Sequence, residues 1–220
     1  IPWSDDLETF TNGRANQNGW SNVNSADPDW TADNGGTGST ATGPDFDHTL
    51  GNATGIYVYL ETSGGALGNR DTLSSPTMLV GATQDTLILE YWYHMAGATM
   101  GQMQVWVESA GIWDSLTTYT GPQQTATNSP WLDSSHFLIG YSGQDLTIHF
   151  IGEKGTSFTG DMAIDDISIS EFLPNNIGIT DIVRPTSGCG LGSADSVEVV
   201  ITNFGGAAQS NFDVGFSVNG

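Results

Sequence analysis

Asp85-Thr86-Leu87-Ile88-Leu89-Glu90-Tyr91-Trp92-Tyr93-His94-Met95 is apolar on both faces when read with a period of two. That pattern predicts a strand covered on both sides, placed centrally in a sheet. The same period recurs on either side of it. In Ile56-Tyr57-Val58-Tyr59-Leu60 the Ile, Val and Leu share one face and the tyrosines the other. Met103, Val105 and Val107 alternate with Gln102, Gln104 and Trp106; Leu146, Ile148 and Phe150 alternate with Thr147 and His149; Met162 to Ile169 closes the set. Helical periodicity is nearly absent, and 29 glycines, many in Asn-Gly, Ser-Gly and Thr-Gly pairs, break the chain at the short intervals that antiparallel strands need. An all-β fold follows.

Composition narrows the function. Against 25 acidic residues stand only 4 Lys and Arg, a formal net charge of −21. Such a surface repels nucleic-acid phosphates and anionic lipid, so neither is a partner. The acids are mostly Asp, which suits turns and oxygen-rich metal shells, rather than the Glu of exposed helices. Cys189 is the single cysteine, so no intrachain disulfide can form. No apolar run is long enough to span a membrane. Ile1-Pro2-Trp3 reads as the start of a cut or mature fragment, and composition suits a secreted or cell-surface protein.

Residues 11–54 are rich in Asn, Asp, Gly, Ser and Thr. Trp20, Trp30 and Phe46 within them need burial, so the stretch is expected to be a folded functional or metal-ordered loop. Phe172-Leu173-Pro174-Asn175-Asn176 marks a boundary. Beyond it Ile177–Val183, Ser196–Asn203 and Asn211–Asn219 each read as a strand, the last two with clean alternation. About 45 residues fall short of the ~100 of an ordinary sandwich, so 173–220 reads as the truncated start of an Ig-like β domain.

Taken in order, Trp30, then Thr42-Gly43-Pro44-Asp45-Phe46-Asp47-His48-Thr49, then Gly55 to Ser63, resemble the first half of a MAM domain. Leu73-Ser74-Ser75-Pro76, Leu89 to Gly97, Gly101 to Val105 and Gly160-Asp161-Met162-Ala163-Ile164-Asp165-Asp166-Ile167-Ser168 are similar to its second half. The resemblance covers residues 1–172 and implies a jelly-roll-like sandwich of two antiparallel sheets, extracellular and non-catalytic. It implies adhesion, oligomerisation or substrate presentation beside a catalytic domain such as a protease. Vertebrate members carry paired cysteines; their absence here argues against a disulfide-linked dimer. The tail, Ser196 to Gly205 and Phe216 to Gly220, is similar to CARDB-type adhesion repeats, an arrangement expected of a secreted bacterial multidomain protein.

A hard cation such as calcium needs six to eight oxygens with carboxylates among them. Glu8 sits at the family's early Phe-Glu position, with Leu7 for Phe, and is expected on the first strand; Asp47 lies in the Asp-His-Thr motif and Asp165-Asp166 on the last strand. First and last strands adjoin in a jelly roll, so Glu8, Asp27, Asp47, Asp165 and Asp166 are the candidate Ca2+ ligands, with Asp29 and Asp45 as further oxygens. The resemblance implies a cation there too. Zinc is disfavoured, because no His pair or Cys cluster has ligand spacing.

No catalytic residue is expected. His48 is read as a hydrogen-bonding pin for its loop, and His94, His136 and His149 are scattered without a His-Glu-x-x-His motif. Asp165 and Asp166 are the one adjacent acidic pair within a strand, and neighbours on a strand face opposite ways unless a bulge intervenes. Trp106 and Trp113 are candidates for stacking on sugar rings, which leaves a carbohydrate-binding module as the second reading. The partners expected are an extracellular protein or glycan surface and neighbouring domains of the same polypeptide.

Overall fold

The computed structural model describes residues 1–22, 28–185 and 196–217. Asp27 and Cys189 lie outside the described residues. Two compact units divide the chain, Ile1–Glu171 and Phe172–Gly220.

The first unit holds β1 (Trp3–Asp5), β2 (Gly13–Arg14), β3 (Ser21–Asn22), β4 (Asp29–Asn34), β5 (Ile56–Glu61), β6 (Arg70–Ser74) and β7 (Met78–Leu79). These are followed by β8 (Thr86–His94), β9 (Gln102–Ser109), β10 (Ile112–Thr120), β11 (Leu132–Ile139), β12 (Asp145–Glu153) and β13 (Met162–Glu171). Seven strands form one sheet in the order β11-β8-β13-β5-β4-β2, with β1 on β13; six form the other in the order β10-β9-β12-β6-β3, with β7 on β12. The strand pairs are antiparallel, as the expected jelly-roll-like sandwich requires. No described residue is helical.

Alternation aims one side of each strand into the space between the sheets. Val58 and Leu60, Leu87, Leu89 and Tyr91, Met103, Val105 and Val107, Ile148 and Phe150, and Ile164, Ile167 and Ile169 fill it as one core. Each such side chain contributes roughly 1.5–3 kcal/mol by leaving water. Trp30 ties the two sheets together: its indole N–H on β4 donates to the carbonyl of Asp71 on β6 at 3.2 Å. A second cluster, Tyr57, Tyr59 and Ala163 with Trp131 against them, lies on the opposite face of β5 and β13. This explains why β5 is buried on both faces. Strand β8 is internal, flanked by β13 and β11, though next to the edge rather than at the sheet's centre.

The opening and closing strands of this unit are neighbours, Trp3 facing Ile169 and Asp5 facing Ile167. Between Asp165 and Ser168 the register of β13 on β8 shifts, and Asp166 takes a left-handed backbone with φ of 46°. This β-bulge turns the two adjacent aspartates away from simple alternation.

Three expectations are corrected. Glu8 follows β1 in a turn rather than lying on the strand, because Leu7 adopts φ of 59° and ends it. Phe46 is 46% exposed, the cover over Tyr57 coming instead from Trp131. In the second unit β14 (Ile177–Arg184) pairs with β15 (Glu198–Asn203), whereas residues 211–217 form no strand. Alternation alone does not make a strand; the backbone needs a ladder partner, and Phe212, Val214 and Phe216 stay exposed.

Candidate functional site

Four acidic side chains meet where the turn after β1, the 45–55 loop and the β13 bulge come together. Asp47, almost fully buried, folds its own loop: its carboxylate accepts the N–H of Leu50 at 2.5 Å and of Asn52 at 3.2 Å. Gly55 leaves room for it, since a Cβ there would stand 2.1 Å from the Asp47 carboxyl. Glu8 reaches across from the turn. Its Oε1 accepts the N–H of Ile56 at 3.0 Å, and its carboxyl lies beside that of Asp47. Burial first, and the negative charges of Asp47 and Asp6 next, push the Glu8 carboxyl above its ordinary range.

Asp165 and Asp166 grip one residue. The fully buried Asp165 accepts the main-chain N–H of His48 at 2.8 Å through Oδ2 and that of Asp166 at 2.8 Å through Oδ1. Asp166 approaches His48 Nδ1 at 2.5 Å and accepts the Thr49 hydroxyl at 2.8 Å. Burial pushes Asp165 up to about 8, with Asp166 and Asp47 adding repulsion against the hydrogen bonds that hold its charge. The His48 ring then stacks on Trp92, centroids 3.8 Å apart and planes 15° apart. His48 is thus the pin that the sequence suggests.

The remaining candidates go elsewhere. Asp29 pairs with Arg14 at 3.1 Å, and Asp45 lies near His94. Among the described residues no group of three or more His, Cys, Asp or Glu side chains is arranged to hold a metal ion. Within the cluster, Glu8 and Asp47 adjoin each other without a Lys or Arg partner. Arg14, Arg70 and Arg184 pair with Asp29, Glu153 and Glu198, and the Lys154 ammonium meets the Thr62 carbonyl. The chain's four basic side chains are thereby engaged away from Glu8 and Asp47. Two adjoining carboxylates without a cationic partner fit a hard cation in charge and in donor chemistry.

Beside the cluster a cleft of about 860 Å³ crosses β1, β13, β8 and β11, with Asp5, Asp6, Glu90, Trp92, Asp133 and Asp166 on its walls. On the other sheet Trp113 is 41% exposed, and Trp106 is half-buried with its indole N–H on Gln104 at 3.0 Å. Sequence reasoning missed Asp161. It is fully buried, its Oδ1 accepts the Thr62 N–H at 3.0 Å, and burial pushes it up to about 6. Its place just before β13, within the motif Gly160 to Ser168, was the available signal.

The fold is a two-sheet antiparallel sandwich whose ends are joined through β1 and β13. The family model of the MAM domain, meprin/A5/mu, matches residues 9–172, and the chain belongs to that family. MAM domains are extracellular adhesion-type domains. The chain is 31% identical over 157 residues to MAM domain-containing glycosylphosphatidylinositol anchor protein 2 of Rattus norvegicus, covering 65% of this chain and 16% of that protein. It is 32% identical over 148 residues to the corresponding protein 1 of Homo sapiens, covering 65% and 15%. The chain thus spans about a sixth of the length of these relatives. In fold it is similar to the K1 cleaved adhesin domain of Lys-gingipain from Porphyromonas gingivalis W83, with a TM-score of 0.50 and 15% identity over 77% of this chain and 98% of that one. No helix among the described residues is long and apolar enough to cross a membrane.

Proposed function

We propose that this module is a non-catalytic recognition and spacer unit at the cell surface or in the extracellular medium, ordered by a calcium ion between Glu8 and Asp47. The observation that carries the calcium reading is that pair of adjoining carboxylates, with every basic side chain engaged elsewhere. Glu8 and Asp47 would supply the carboxylate ligands, and backbone carbonyls and water the balance of the six to eight oxygens. A bound ion would fix the turn after β1 to the 45–55 loop, which carries His48, and so hold the rim of the acidic cleft in one shape.

The partner is an extracellular protein or glycan, met by loops and one sheet face. Family membership supports that reading, as does the use of Asp165 and Asp166 as clamps on His48 rather than as a free acid and base. The second unit is read as belonging to a CARDB-like adhesion repeat, and the whole as part of a secreted bacterial multidomain protein. A melting scan of protein stripped with chelator and then resupplied with calcium tests the cation. At a hundred times its dissociation constant the ion adds about 2.7 kcal/mol. A midpoint that does not rise eliminates the calcium reading.

A further inference from the structure

We infer that the outer face of the six-stranded sheet is a binding platform for a neutral polysaccharide, with Trp113 as its stacking surface. This names a ligand class for the recognition role proposed above and rests on that reading, but not on the cation.

The platform is built rather than accidental. Trp113 lies flat on the ring of His149, centroids 3.8 Å apart and planes 6° apart. His149 is itself fixed at both nitrogens, Nδ1 to the Ser74 hydroxyl at 2.7 Å and Nε2 to Glu108 at 2.9 Å. Three strands therefore hold one indole in place: Ser74 on β6, His149 on β12 and Glu108 on β9. Yet Trp113 remains 41% exposed, and His149 is its only ring partner among the described residues. An indole oriented in advance costs a ligand little further ordering. Trp113 stands opposite Glu108 and Trp106 opposite Ser115, so the two tryptophans are diagonal neighbours on one face, roughly 7–8 Å apart.

The surroundings select a sugar. A pyranose offers a CH-rich face to an indole and hydroxyls to its rim. Around Trp113 the same face carries Glu108, the Gln104 amide and the hydroxyl pair Thr77–Thr147, all able to bond hydroxyls. The groups standing next to Trp113, Glu108 and beyond it Thr147, are polar, which favours a hydroxyl-rich ligand over the apolar ring of a protein hot spot. Charge decides between glycans. Arg70, the basic residue on this face, is engaged by Glu153 at 2.5 Å, and the chain's net charge is −21, so sulfated or uronate-rich chains are repelled.

Affinity electrophoresis through gels cast with hydroxyethylcellulose, arabinoxylan or galactan, against an alginate gel, tests this. The 220-residue chain should be retarded in at least one neutral gel and not in alginate. Trp113→Ala should weaken the apparent Kd about tenfold or more, with Trp113→Phe retaining most of it. No retardation in any neutral gel, retardation in alginate alone, or retardation unaffected by Trp113→Ala would each overturn the inference. Should Trp113→Ala fail to fold, the wild-type indole resonance of Trp113 serves instead: it shifts on titration with oligosaccharides of the retained polymer, and an unmoved resonance contradicts the platform. The calcium-dependent melting shift is read separately in the same samples. Its survival with no retardation sinks the platform alone; its absence with retardation sinks the cation alone.

Discussion

His48 is held at two points by consecutive residues: its main-chain N–H lies 2.8 Å from Asp165 Oδ2, and its ring Nδ1 lies 2.5 Å from Asp166 Oδ2. Only the bulge in β13 allows adjacent side chains to reach the same target. The loop that carries Asp47 is therefore fastened to the last strand of the unit. His48→Ala keeps the main-chain bond but loses the ring contacts to Asp166 and Trp92. Because both partners of this hydrogen-bonding contact are partly exposed, the expected cost is modest, about 1 kcal/mol. A double-mutant cycle with Asp166→Asn, followed by urea unfolding, should return a coupling of at least about 0.5 kcal/mol; additive losses would show that the contact is incidental.

Gly55 tests the loop from the other side. Its missing Cβ is what lets the Asp47 carboxyl sit where Leu50 and Asn52 hold it. Gly55→Ala forces that carboxyl aside and should destabilise by about 1–3 kcal/mol. It should also weaken calcium binding, which isothermal titration would read. An unaltered calcium affinity would mean that Asp47 is not a ligand.

Acid sensitivity should come from His94. It is fully buried, neither ring nitrogen has a hydrogen-bond partner of ordinary geometry, and burial lowers it to about 4 despite the nearby Ser129 backbone and Asp45 charge. The unfolded chain takes up this proton near 6.5 and the folded chain does not until about 4. Stability present above 6.5 is therefore lost as the pH falls through that window, at up to about 1.4 kcal/mol per unit. Urea midpoints between pH 7 and 4 for wild type and His94→Gln check this, and the variant should show the shallower decline.

Trp30 is the test of the sandwich itself. Fully buried and bonded to Asp71 on the opposite sheet, it should cost about 3–5 kcal/mol when replaced by Ala. A loss below about 1 kcal/mol in chemical denaturation would contradict its role as an inter-sheet tie.

Much of this was legible in the chain. Period-two alternation locates β5, β8, β9, β12 and β13, because each buries one face in the core and the pattern records that burial. The order of motifs places Glu8, Asp47 and the Asp165-Asp166 pair at one end of the unit, and the pairing of β1 with β13 brings those strands together. What alternation cannot carry is local backbone geometry. The left-handed residues Leu7 and Asp166 decide that Glu8 sits in a turn and that Asp166 turns to His48, and neither is a glycine that would have marked the place. Nor does alternation reveal ladder partners, so residues 211–217 resemble a strand without forming one. The tryptophans were visible as candidates, but the His149 beneath Trp113 is a contact between distant strands that no local window contains.

The central claim concerns the ion between the turn after β1 and the 45–55 loop. Crystals grown in calcium and measured for anomalous scattering should show a peak about 2.3–2.6 Å from oxygens of both Glu8 and Asp47. A map without a peak there, or with its calcium peak bound only by other residues, would contradict it.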